Sequence, residues 1–283
     1  MATSLARQRL GQYGIWRGAP DVTPELALGI ERLGFGALWL GGSPGGDLRL
    51  VDQLLDATTT LIVATGIVNI WNTDAHQVAA AFARIDAGYP NRFLLGVGVG
   101  HPEATGNYAK PYESLASYVT VLLDGGVPPD SLVLAALGPK VLRLAAERTA
   151  GAHPYLVTPE HTKQARGIVG SQALLAPEHK AVLDADPGRA RALGRPKVQN
   201  PYLGLSNYTS NLRRLGWSEA DLAGGGSDAL IDALVAHGDD AQVAAKLSAH
   251  LDAGADHVAV QLLSPPDTDP LAGYQQLARA LDL

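Results

Sequence analysis

Short apolar runs recur along this chain at residues 11–16, 36–40, 61–71, 93–100, 131–137, 152–157, 179–183 and 256–263, and the segments between them carry helix punctuation. Thr23 followed by Pro24 reads as an N-cap and first turn, with Gly34 just past the helix end. Asp74 with Gln77 forms a capping-box-like start, and Pro139 opens a helix that Gly151 closes. Thr158 with Pro159 begins another, and Ser227 and Asp239 cap helices ended by Gly238 and Gly254. Helical pieces are also expected at 187–193 and 201–215. For the seventh strand, 179–183 is preferred over 172–175. Strands alternating with helices stack into a parallel sheet covered by helices. Eight such units in 283 residues predict an α/β fold, one (β/α)8 TIM barrel over residues 1–283 with short insertions near Pro128 and at 224–226. A doubly wound sheet is the alternative.

With 46% hydrophobic residues the chain can bury a large core, and a net charge of -6 without a basic run argues against a nucleic-acid partner. The absence of cysteine excludes disulfides, thiolate metal sites and cysteine nucleophiles. No apolar run reaches the roughly 18 residues that span a bilayer, and residues 1–10 lack the apolar core of a secretory signal. A cytoplasmic protein that does not engage a membrane is expected.

One run carries chemistry. After Tyr89-Pro90-Asn91-Arg92, the stretch from Phe93 to His101 places Gly96, Gly98 and Gly100 on one face of a strand, because strand side chains alternate. That face reads as a floor for a flat ligand in preference to a bend or bulge. A dinucleotide fingerprint fails on spacing, since its third glycine falls on His101 or Glu103. In a barrel the reacting groups sit at the C-terminal strand ends, here residues 41–43, 66–69, 100–103 and 137–140, with Tyr155 and Ser264. Leu137-Gly138-Pro139-Lys140 leads from strand to helix, where free N–H groups and the helix dipole suit a phosphate; an ordinary Pro-started turn is the alternative. His76, His153, His161, His179, His237, His250 and His257 show no metal-ligand spacing, so no metal is expected. Ser43, Ser206 and Ser264 lack a nucleophile elbow, which disfavours a hydrolase.

Ala64-Thr65-Gly66-Ile67-Val68-Asn69-Ile70-Trp71, Tyr89-Pro90-Asn91-Arg92, the run from Gly96 to His101, and Leu137-Gly138-Pro139-Lys140 through Ala145-Ala146-Glu147 to Gly151 together resemble the luciferase-like monooxygenase superfamily. Within it they are similar to the branch that uses the deazaflavin coenzyme F420. The resemblance implies a cofactor ring over the strand ends, with its phosphate near the helix after the fifth strand. It implies a cis peptide between Gly66 and Ile67 behind the ring, an ordinary trans bulge being the alternative. The implied cofactor-binding residues are Gly41, Gly42, Gly66, Ile67, Asn69, Gly98, Gly100, His101, Leu137, Gly138, Pro139 and Lys140.

His101 falls where the sugar-phosphate dehydrogenases of this branch carry an acidic proton donor, and an imidazole can serve as acid or base beside a hydride transfer. A role limited to hydrogen bonding is the alternative, and Glu103 and Tyr108 are nearby alternates. Those dehydrogenases have an Asp-His pair after the second strand; Gly41-Gly42-Ser43 stands here, which argues against their substrate. The expected function is F420-dependent hydride transfer between the cofactor C5 and a small organic substrate. An FMN-dependent monooxygenase and a non-catalytic cofactor-binding barrel are the alternatives. A homodimer paired through helices beside the early strands is also implied.

Overall fold

The computed structural model describes residues 9–101 and 110–283, so Glu103 and Tyr108 lie outside the described residues. Its strands are β1 (Tyr13–Gly18), β2 (Ala37–Gly41), β3 (Ile62–Thr65), β4 (Val68–Asn69), β5 (Phe93–Gly98), β6 (Leu132–Leu134), β7 (Gly151–Ala152), β8 (Leu174–Leu175), β9 (Glu178–Val182), β10 (Val235–His237) and β11 (Val258–Leu262). All pairings are parallel, in the order β10-β9-β11-β1-β2-β3-β5-β6-β7-β8 with β4 also on β5. Only Ala176 and Pro177 separate β8 from β9. Across them Ala176 N–H donates to Ala152 O at 2.9 Å and Glu178 N–H to Pro154 O at 2.8 Å. The two short strands therefore act as one stave that closes the barrel.

Three expectations need correction. The 61–71 run is two strands, Ile62–Thr65 and Val68–Asn69, with the cis Gly66–Ile67 peptide between them. The choice of 179–183 over 172–175 separated two halves of one stave. The helix capped by Ser227 does not run on to Gly238: it ends at Leu234, and Val235–His237 pairs with Lys180, Ala181 and Val182 instead.

Helix starts follow from side-chain chemistry. Thr23 accepts from Leu26 N–H, Asp74 from His76 and Gln77 N–H, and Thr158 from His161 N–H. Asp239 and Gln242 form a full capping box. The helices pack on the outer face of the sheet through Ile30, Leu54, Val78, Phe82, Leu122 and Leu247, all buried.

Inside the barrel one large ring dictates small neighbours. Trp39 is fully buried, stacks on His153 at 4.1 Å and donates from Nε1 to His257 Nε2 at 3.0 Å. Ala37, Ala64 and Ala259 surround it, and a Cβ on Gly14 would come within 2.8 Å of the His257 ring. Interiors are close-packed, so a central indole requires such positions to be small. Trp39 and its partners fill the lower barrel.

Candidate active site

A cavity of about 510 Å³ opens at the C-terminal strand ends. Its floor comes from the break between β3 and β4, where Gly66, Ile67 and Asn69 face the space. A break in a ladder strands backbone polar groups, which must find partners when buried. Here the Thr65 hydroxyl accepts from Gly96 N–H at 2.8 Å and donates to Gly96 O at 2.9 Å, mending the gap.

The same geometry corrects the reading of the glycine run. A Cβ on Gly96 would collide with the Thr65 carbonyl oxygen, and one on Gly98 would lie 2.8 Å from Ala135 Cβ and 3.1 Å from Ile67 Cγ1. One on Gly100, whose φ is +58°, would meet Asn69 Nδ2 at 2.6 Å. Gly96 and Gly98 thus make room for the chain's own β3–β4 break, and of the three glycines Gly100 alone reaches the cavity, beside Ile67. Gly98 lies behind Ile67 and off the cavity wall, and Gly41 is covered by the Trp16 ring. Pro139 also stands outside the lining.

Gly42, Gly66, Ile67, Asn69, Gly100, His101, Leu137, Gly138 and Lys140 do line it. Added Cβ atoms on Gly42 and Gly138 meet nothing within 4 Å. Gly138 is the N-cap of the Pro139–Arg148 helix and supplies no side-chain cap, so the first N–H groups of that helix are left to face a ligand. This contrast makes a paired prediction. Gly96→Ala is expected to lower stability by about 2–3 kcal/mol in urea denaturation, whereas Gly138→Ala is expected to stay within about 0.5 kcal/mol of the parent.

The far wall is aromatic, and of its residues Tyr202 and Tyr208 were not read from the sequence. Tyr202 and Tyr208 follow the cis Asn200–Pro201 bond, and their rings lie 4.9 Å apart. His101 packs against both, at 5.5 Å from Tyr208 and 6.2 Å from Tyr202. Tyr155 joins them at 5.3 Å from Tyr202 and 5.2 Å from Trp16. Burial raises the hydroxyl of Tyr202 to about 12 and those of Tyr155 and Tyr208 well above the usual value, so all three stay protonated.

Beneath Tyr155 lies a buried ion pair. Lys180 Nζ is 3.0 Å from Glu178 Oε1 and donates to Tyr155 OH at 2.9 Å; Tyr155 OH in turn donates to Gln261 Oε1 at 2.9 Å. Glu178 and Lys180 are two apart on β9 and so share the inward face. Ser264 is exposed and off the cavity. Arg92 serves the fold, donating to Leu55 O, Thr58 O and Leu61 O.

The model of the luciferase-like monooxygenase family matches residues 3–257. The chain belongs to this family. No curated protein matches the sequence. Solved structures of similar fold include an F420-dependent secondary alcohol dehydrogenase in complex with an F420-acetone adduct, at 16% identity and TM-score 0.72, covering 96% of this chain and 99% of that one. The coenzyme F420-dependent tetrahydromethanopterin reductase from Methanopyrus kandleri is similar at 16% identity and TM-score 0.69, with 96% and 98% covered. The oxygenating constituent of the Pseudomonas putida 3,6-diketocamphane monooxygenase, in complex with FMN, is similar at 13% identity and TM-score 0.67, with 95% and 96% covered. Solved structures of similar fold thus include F420-dependent enzymes and a monooxygenase in complex with FMN. Among the described residues no helix is long and apolar enough to cross a membrane.

Proposed function

We propose that the cavity holds the deazaflavin coenzyme F420 and that the protein transfers a hydride between its C5 and a small organic substrate. The observation that carries this reading is the arrangement within one cavity of an apolar floor at Ile67 and an uncapped helix start at Gly138–Lys140. A volume of about 510 Å³ is of the size used for such ligands. Two buried polar atoms on the wall, Trp16 Nε1 and His153 Nε2, have no hydrogen-bond partner among the described residues, as befits a site built for a polar ligand. The residues present therefore fit a flavin-like group, and two of the similar structures named above belong to F420-dependent enzymes.

When bound, the deazaflavin supplies a two-electron hydride carrier. The chain does the rest. Ile67, backed by Gly98, gives the ring a flat apolar support. The N–H groups after Gly138, with Lys140, hold its phosphate. Tyr202 and Tyr208 exclude water from the reacting face. His101, between them and the strand end, exchanges the proton that accompanies hydride transfer.

Titration of the purified protein, read from each cofactor's own absorbance, tests this. F420 is expected to bind and FMN not to. Binding of FMN alone would give the protein to the monooxygenases, and binding of neither would overturn the reading. Lys140 is exposed, so Lys140→Ala is expected to weaken F420 only about two- to fivefold, an effect that fades at high salt. The reading also carries a homodimer; sedimentation at micromolar concentration should show it, and a monomer contradicts it.

A further inference from the structure

The aromatic wall stands across the barrel mouth from the Ile67 floor. Around the sheet the β3–β4 stave, which carries Ile67, and the β8–β9 stave, after which Tyr202 and Tyr208 come, are four steps apart in either direction. A planar group lying on Ile67 therefore turns its free face toward Tyr202 and Tyr208, which line the same cavity. Four rings meet there. Tyr202 and Tyr208 are 4.9 Å apart, His101 lies 6.2 Å and 5.5 Å from them, and Tyr155 lies 5.3 Å from Tyr202. The rings are inclined to one another by 40° to 87° and so cannot all present the same aspect to the cavity; a further ring set among them meets both faces and edges.

A cluster of aromatic rings can take either a cation or another aromatic ring. Here a positive charge already lies against the rings from outside the cavity. Lys180 Nζ is 4.1 Å from the centre of the Tyr155 ring and 5.4 Å from that of Tyr202, and Lys180 is not part of the lining. A second cation on these rings would be repelled, and among the described residues no carboxylate lines the cavity to offset that. An anion fares no better at this wall, since the ammonium of the lining, Lys140, stands at the exposed helix start given to the phosphate. The three tyrosines stay protonated and add no charge of their own. We infer that the substrate of this cavity is an uncharged aromatic molecule, its ring held against Tyr202 and Tyr208 over the free face of the cofactor. The inference rests on the reading of the cavity as an F420 site with the ring on Ile67, and it names the substrate class which that reading leaves open.

For one pair of probes, hydrophobic burial and aromatic contact give opposite orders. Decahydro-2-naphthalenemethanol keeps the skeleton and hydroxyl of 2-naphthalenemethanol and carries more apolar surface, so burial alone favours the saturated alcohol. Stacked and edge-to-face contacts are open only to the aromatic one. Calorimetry on the F420-loaded protein is expected to find 2-naphthalenemethanol bound roughly fivefold tighter than its decahydro counterpart. Trimethyl(2-naphthylmethyl)ammonium is expected to bind roughly tenfold weaker than the aromatic alcohol. Tyr202→Leu, which keeps apolar bulk without a ring, is expected to remove most of the aromatic preference. Proton NMR of the parent gives a reading that needs no variant: the ring protons of Tyr202 and Tyr208 should shift under the ring current of the naphthalene and hold their positions with the decahydro alcohol. A parent that binds the saturated alcohol as tightly as the aromatic one, or the cation as tightly as the alcohol, would overturn the inference. So would Tyr202 and Tyr208 resonances unmoved by bound 2-naphthalenemethanol. Failure of F420 to bind would instead strike the proposed function, and the same contrasts on the cofactor-free protein would then decide whether the wall takes an uncharged aromatic ring.

Discussion

Lys180→Met is expected to destabilise the protein by about 3–5 kcal/mol in urea denaturation at pH 7, because it strands a carboxylate inside the barrel. Glu178 is 0% and Lys180 1% exposed, and removing the ammonium leaves Glu178, among the described residues, with the Leu156 N–H, at 2.9 Å, to stabilise its charge. Burial already pushes the Glu178 carboxyl up and the Lys180 ammonium down, against their mutual attraction. Without the lysine the carboxyl rises further. A group whose folded pKa is raised contributes stability below its ordinary value, near 4.5 here, and loses it as pH climbs through the folded value. The gap between Lys180→Met and the parent should therefore shrink as pH falls toward 5. The double variant Glu178→Gln with Lys180→Met removes both charges while keeping an acceptor for Leu156, and is expected to recover most of the loss. A loss below about 1 kcal/mol in the single variant would contradict the account. Such pairs seldom add stability over apolar packing, so the value of this one lies in what it holds. Lys180 fixes the Tyr155 hydroxyl and sits 4.1 Å from the centre of its ring, setting one wall of the cavity.

Mild acid is expected to unfold the protein. Burial lowers His153, His179 and His257 to about 4 each, and lowers His161 and His250 as well. His250 and His257 each accept a hydrogen bond at a bare ring nitrogen and so need the neutral form. His179 Nδ1 faces both Val157 O and His250 Nε2, so it carries the proton and donates, while His250 Nδ1 donates to the Thr162 hydroxyl. His257 donates from Nδ1 to Gly11 O and accepts from Trp39 at Nε2. The unfolded chain binds protons from about pH 6.5 downward, whereas the folded chain resists until about 4, so stability is full above 6.5 and is lost through that window. Each of the three costs on the order of 3 kcal/mol once fully protonated in the unfolded state, and together they rival the whole stability of a typical domain. Urea midpoints at pH 7.5, 6 and 5 should fall steadily, with net proton uptake on unfolding. A midpoint unchanged between pH 7 and 5 would contradict this.

The local grammar of the fold was legible because local chemistry writes it. Thr23, Asp74, Thr158, Ser227 and Asp239 each accept the N–H groups that an N-cap must satisfy. Long-range decisions were not. Whether Gly96 and Gly98 make room for a ligand or for the chain is decided by Thr65 and Ile67, about thirty residues earlier. The strand Val235–His237 follows its helix without a turn residue, so nothing local marks the change. Tyr202 and Tyr208 of the aromatic wall come from a segment after Pro201 that has no strand periodicity. The Glu178–Lys180 spacing did carry a signal, two charges on one face of a barrel strand, but the expected strand began at His179 and left Glu178 out.

The account turns on one placement, the ring against Ile67 with its phosphate at the Gly138–Lys140 helix start. A crystal soaked with F420 tests it most directly. The account predicts density for the tricyclic ring over the Gly66–Ile67 peptide and for the phosphate beside Gly138. Ring density away from Ile67, or an empty cavity at saturating F420, would contradict it.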